Sequence, residues 1–121
     1  MANEITVTIQ LDVVKSPISD QIRKSNLRFD LATAVKSGGI QVVGTTAEAI
    51  GISADVATKG WAYFRNVDST NYVVLSTASD GTTPFAKLMP GELALIPLGS
   101  GTIYGMANTA AVNLEYQVYA R

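Results

Sequence analysis

Apolar and polar residues alternate at both ends of this chain. Ile5, Val7, Ile9, Leu11 and Val13 are separated by Thr6, Thr8, Gln10 and Asp12, and Val112, Leu114, Tyr116, Val118 and Ala120 by Asn113, Glu115, Gln117 and Tyr119. Successive side chains of a strand point to opposite faces, so a period of two predicts a strand with one buried and one wet face. Each end of the chain is therefore expected to be such a strand.

Turn residues punctuate the chain between these ends. Ser16-Pro17 interrupts the first strand, because proline lacks an N–H and restrains the residue before it. Residues 20–24 suggest a short helical turn. Leu27, Phe29 and Leu31 then alternate with Arg28 and Asp30 as a second strand. Ser37-Gly38-Gly39 reads as a turn before a short strand at Ile40 and Val42, and residues 45–57 as a connection with a short strand near 50–52. Residues 61–66 and 71–77 read as a hairpin around Val67-Asp68-Ser69-Thr70, whose side chains can bond nearby backbone N–H groups.

Asp80-Gly81 is a strong short-range hairpin signal, and it precedes a short strand at 85–88. Pro90-Gly91 suits a type II turn, proline setting φ and glycine accepting a positive φ. Residues 92–98 form a strand whose Pro97 belongs at an edge, bulge or strand end, and Gly99-Ser100-Gly101 turns the chain into a strand at 102–106. Eight to ten short strands at this spacing predict an all-β antiparallel sandwich, jelly-roll-like, in one domain over residues 1–121.

Charge is scarce. Asp, Glu, Lys and Arg make up 16% of the 121 residues, against about 25% in an average soluble domain. Hydrophobic residues reach 47% and mean hydropathy is +0.21. A small domain has a high ratio of surface to volume and should carry more charge than average. Either part of the surface faces other chains in a homo-oligomer or larger assembly, or the monomer is coated with Ser, Thr, Asn and Gly. Two segments favour the assembly: in Trp61-Ala62-Tyr63-Phe64 and Tyr72-Val73-Val74-Leu75 neither parity is polar. An antiparallel strand usually wets one face, so these need a second cover.

The residue inventory narrows the chemistry. Cysteine and histidine are absent, which removes disulfides, zinc–cysteine sites, thiol nucleophiles and the side chain best suited to proton transfer near neutral pH. Most of the ten acids stand beside turn residues or on the polar parity of a strand, as Asp12, Asp30 and Glu115 do, where they are solvated or capping groups. Asp68 or Asp80 with its turn neighbours offers one carboxylate each, and calcium usually takes several. Lys15-Ser16 and Lys36-Ser37 point to opposite faces as strand neighbours. No catalytic, cofactor or metal residue is assigned, and no enzyme activity is expected.

A net charge of −1 gives no attraction to nucleic acid or acidic membranes. No run approaches the ~18 apolar residues of a membrane span. The opening Met1-Ala2-Asn3-Glu4-Ile5 lacks the pattern of a secretory leader. Its first four residues could form an arm to a neighbour. Trp61, Tyr63, Tyr72, Tyr104, Tyr116 and Tyr119 are suited to core packing, to a protein interface or to a sugar platform. The interface candidates are Trp61, Tyr63, Tyr72, Tyr104 and Tyr119. Tyr119 sits on the polar parity of the last strand and is expected to be the most exposed.

Three stretches carry a family resemblance: GWAYFRNVDSTNYVVL at 60–75, FAKLMPGE at 85–92 and IYGMANTAAVNLEY at 103–116. Together they resemble small virion structural proteins of tailed bacteriophages, over about half of the chain. The motifs are turns and strands and bring no functional residue with them. The resemblance implies a capsid cement or decoration protein, β-rich and dimeric or trimeric. Such a protein would be made in the host cytoplasm and bind major capsid protein on the capsid surface of the virion. The alternative is a carbohydrate- or host-binding sandwich of a phage fibre or tail.

Overall fold

The computed structural model describes residues 3–31, 33–99 and 101–121, so the expected arm lies partly outside them at Met1 and Ala2, as does Ser100 of the Gly99–Gly101 turn. Its elements are ten strands: β1 (Ile5–Lys15), β2 (Ile18–Phe29), β3 (Lys36–Val43), β4 (Glu48–Ala49), β5 (Lys59–Asn66), β6 (Val73–Ser76), β7 (Pro84–Leu88), β8 (Leu93–Pro97), β9 (Tyr104–Ala107) and β10 (Val112–Ala120). No helix occurs among the described residues, and the fold is all-β and antiparallel, as the alternation and turn spacing predict. The chain divides into two compact units, Met1–Ala32 and Thr33–Arg121.

The second unit is the sandwich. One sheet has the order β3-β10-β5-β8 and the other β4-β9-β6-β7, with every neighbour antiparallel. The pairs β6–β7, β5–β8, β4–β9 and β3–β10 nest outward from the β6–β7 hairpin and alternate between the sheets. That is jelly-roll winding: one long antiparallel hairpin rolled so that its successive strand pairs fall in opposite layers.

The inner faces supply the core. Phe64, Leu75, Leu114, Val43, Val73, Val112 and Val118 are all buried to within 1%. Each such side chain contributes roughly 1.5–3 kcal/mol through removal from water. Ile50, Val56, Leu98 and Ile103 close the core from the connections. The layers meet tightly at Gly105, where a Cβ would stand 3.0 Å from Ile50 Cδ1 and 3.2 Å from Val43 Cγ1.

Three local expectations are corrected in this second unit. Segments 61–66 and 71–77 do not form a hairpin: β5 pairs with β10 and β8, and β6 with β7 and β9. The chain crosses between layers at Asn66, whose side chain is fully buried. Its Nδ2 donates to Asn71 O (2.8 Å) and Leu88 O (2.9 Å), and its Oδ1 accepts from Asp68 N–H (2.8 Å). The Asp-Ser turn residues are present, but this buried amide re-aims the strand.

Gly38-Gly39, read as a turn, lies inside β3. A Cβ on Gly38 would meet Gln117 and the Tyr116 carbonyl at 2.5 Å, and Gly39 has φ +146°, a conformation that favours glycine. The third correction concerns residues 50–52, where the short strand is instead β4 at Glu48–Ala49. The segment after it is held by side chains. Gln41 bonds Ala49 O and Gly51 N–H, Tyr116 donates to Gly51 O at 2.7 Å, and Ser37 accepts from Ser53 N–H.

The Asp80-Gly81 hairpin and the Pro90-Gly91 turn are as expected. Gly81 and Gly91 have φ +73° and +83°, and Glu92 N–H bonds Met89 O at 2.9 Å across the latter turn. Pro97 ends β8, an edge strand.

The first unit is a single long hairpin in which β1 pairs with β2. Ser16-Pro17, joined by a cis peptide bond, forms its two-residue loop. Residues 20–24, expected as a helical turn, are strand. Their side chains alternate on even numbers, whereas Leu27 and Phe29 alternate on odd ones, and this break in parity obscures the strand in the sequence. A β-bulge resolves it: pairing steps from Val7↔Leu27 to Ile9↔Lys24, placing one extra residue on β2. Asn26 there has φ +55°, and its N–H reaches Thr8 Oγ1 at 3.3 Å. An extra residue restores the side chains beyond it to the same face.

Candidate functional site

The outer face of the β3-β10-β5-β8 sheet gathers three of the five interface candidates. Directly paired residues share a face, so the register sets their order. One row runs Ile40, Glu115, Arg65, Leu93, and the next Gly38, Gln117, Tyr63, Leu95. Lys36 pairs with Tyr119 and Trp61 with Pro97 at the end of the face, while Val42 pairs with Asn113 at the other.

The edges of this face are apolar and open to solvent. Ile40 is 65% exposed, Val42 62%, Leu93 58% and Leu95 42%. Between them lie Glu115, Gln117, Tyr63 and Trp61, each half-buried. Tyr63 donates its hydroxyl to Glu115 Oε1 at 2.8 Å. Partial burial, and then the adjacent Glu115 carboxylate, hold the Tyr63 phenol above its ordinary pKa. That direction keeps it a neutral donor and argues against a phenolate nucleophile.

Beside this pair is a depression of about 350 Å³ lined by Gly39, Ile40, Tyr63, Glu115, Tyr116 and Gln117. Among the described residues the buried Gln117 Oε1 atom has no hydrogen-bond partner.

Tyr104 belongs to the other sheet, and Tyr72 immediately precedes β6 of that sheet. Tyr72 lies under Lys87, whose Nζ is 4.1 Å from the ring centroid. Tyr104 pairs with Ser76 and Ala49. The five candidates therefore divide three and two between the layers. Tyr119, expected to be the most exposed, is half-buried like Trp61 and Tyr63.

Aromatic content alone misses Ile40, Val42, Leu93 and Leu95. A signal was present in the residues between them. Gln41 is the polar residue between Ile40 and Val42 in β3, yet it turns inward to hold residues 49–51, leaving its apolar neighbours outside. In β8 the less exposed residues are Ala94 and Ile96, and the larger leucines face out.

The hairpin has a comparable face in its own unit. Ile5, Val7, Ile9, Leu11 and Val13 share one side with Phe29, Leu27 and Ile22, while Thr6, Gln10, Asp12, Arg23 and Arg28 share the reverse. On the polar side Arg23 and Asp12 form an ion pair at 3.7 Å, and Gln10 bonds Asp12.

No group of three or more acids among the described residues could hold a metal ion. Asp68 and Asp80 are turn caps, with carboxylates held below the usual range. Asp68 accepts from the Asn71 and Thr70 N–H groups, and Asp80 from the Thr82 hydroxyl and N–H. Comparison of the chain with protein-family models, with curated proteins and with solved structures gives no significant match.

Proposed function

We propose that this chain is a virion structural protein, a capsid decoration protein that binds and stabilises a shell of major capsid protein as a homo-oligomer. One observation carries the reading: an outer sheet face with apolar edges and an aromatic centre, built on a rigid sandwich. Monomers seldom leave contiguous apolar patches of more than a few hundred Å² exposed, and larger ones mark contact surfaces. Tyr and Trp inside a partly polar rim are the side chains that dominate such contacts. The resemblance of 60–75, 85–92 and 103–116 to phage virion proteins names the partner. Jelly rolls serve in capsids and in lectins alike, so the fold alone is an analogy.

The mechanism is mass action. A protein that binds the assembled shell and not its dissociated subunits stabilises the shell by RT ln(1 + [L]/Kd), about 2.7 kcal/mol at a hundredfold excess over Kd. Quantitative mass spectrometry of intact particles tests the reading. Copies in the hundreds per particle are expected; a dozen or fewer would assign the chain to a tail or portal, and none would remove it from the virion.

The depression beside Tyr63 favours a second reading, carbohydrate binding, with Tyr63 as the stacking face and Glu115 as the acceptor. A reproducible glycan-array signal lost in Tyr63→Ala would establish that reading in place of the first.

A further inference from the structure

We infer that the apolar face of the β1–β2 hairpin is a self-association surface, on which the same face of a second copy of this chain seats antiparallel. Ile9, Leu11, Val13, Ile22, Leu27 and Phe29 stand together on it, each between 38% and 54% exposed. That amounts to on the order of 400 Å² of apolar surface, as large as the largest patch of an ordinary monomer. A two-stranded hairpin with its apolar face in water is marginal at best. These strands nonetheless run for eleven and twelve residues, through a bulge that keeps the apolar side chains on one side.

Charge placement selects the occupant. Three charges interrupt this face: Lys15 beside Ile18 at its loop end, and two opposite charges further in. Lys24 pairs with Ile9 and Asp20 with Val13, one row on either side of the Leu11–Ile22 row. Among the described residues neither has an ion-pair partner. They lie four residues apart on β2, about 13 Å at the rise of a strand. Turning a second copy about a two-fold axis through the Leu11–Ile22 row brings each Lys24 over the other copy's Asp20, and each Ile22 over the other Ile22. An isologous interface requires that self-complementarity. Parallel stacking would instead lay β2 over β1 of the second copy, setting Lys24 over Ile9 and Asp20 over Val13 with no opposite charge to meet. A three-fold ring would bring the Lys24 side chains to one level and the Asp20 side chains to another, which association disfavours. Two such faces cover on the order of 800 Å² of apolar surface together, and with their polar margins approach the lower end of a stable interface.

This contact supplies the homo-oligomer of the function proposed above. Its test needs no shell, so the two readings fail separately. Full-length protein would be followed by size-exclusion chromatography with light scattering and by sedimentation across the micromolar range. A dimer is expected. Asp20→Lys and Lys24→Asp, each a change at an exposed position, are each expected to weaken dimerisation by about tenfold or more, since every copy contributes two like-charge contacts. The swap Asp20→Lys/Lys24→Asp restores complementarity and is expected to recover the dimer. Circular dichroism of all three would confirm that the sandwich is retained. A monomer at every concentration, a trimer, or a dimer indifferent to these changes would overturn the inference, as would a swap no better than the single variants.

Discussion

At the residue scale, Asn66 is the side chain on which the sandwich turns. Its amide satisfies two carbonyls and one N–H at the point where the chain leaves one layer for the other. Asn66→Ala strands those groups in the interior, where an unmade hydrogen bond costs about 1–3 kcal/mol. A loss of about 2–4 kcal/mol is expected in urea unfolding, with Asn66→Asp no better, because a carboxylate cannot donate to the two carbonyls. Gly38→Ala is expected to cost about 1–3 kcal/mol by overpacking, since the new Cβ would meet the Tyr116 carbonyl, which belongs to a paired strand.

Asp68 and Asp80 add a pH dependence. Their folded pKa values lie below that of an ordinary aspartate, so folding favours the charged form. Their contribution is fully present above the unfolded pKa, near 3.9, and is lost as pH falls through the folded values. Thermal unfolding between pH 6 and 2 should show stability falling below about pH 4. The fall should be shallower in Asp68→Ala/Asp80→Ala.

At the element scale, alternation was legible and pairing was not. β10 reads from its residues as a strand with one buried face, and it lies second in its sheet with Val112, Leu114 and Val118 buried. β1 reads equally well, and Ile9, Leu11 and Val13 are exposed. The two patterns are alike because alternation records which face is apolar; it does not record what covers that face. β5 and β6 show the same limit: a turn sequence between two strands says that the chain changes direction, and a buried amide decided that it also changes sheet.

On the outer sheet face, Leu95→Glu and Ile40→Glu are expected to leave unfolding within about 0.5 kcal/mol of the parent, as exposed substitutions do. Under the proposed function they abolish binding to purified capsid shells in co-sedimentation. Retained binding would move the contact elsewhere.

At the scale of the whole molecule, the chain is a jelly roll and a hairpin as two compact units. Among the described residues the sandwich holds its own core of sixteen buried hydrophobic residues, all of them beyond residue 42. A chain beginning at residue 33 is therefore expected to fold by itself and to unfold cooperatively on heating. An isolated peptide of residues 1–32 should show little strand signal at low concentration, in keeping with the marginal stability of lone hairpins. The scarcity of charge noted in the sequence acquires locations: the outer face of one sheet and one side of the hairpin hold large apolar groups where a solvated monomer would place charged ones.

Read from the residues alone, the chain already specified its class and much of its punctuation. Period-two patterning, Asp80-Gly81, Pro90-Gly91 and an edge-placed Pro97 are local matters, governed by backbone sterics and by which side of a strand is apolar. Only the tertiary structure decided that β3 joins β10 across some seventy residues, that Trp61, Tyr63 and Tyr119 share a face while Tyr72 and Tyr104 do not, and that Ile9, Leu11 and Val13 of the clean first strand stay exposed. Every strand offers the same ladder of N–H and C=O groups, so the choice of partner is settled by long-range packing and by single buried side chains such as Asn66 and Gln41.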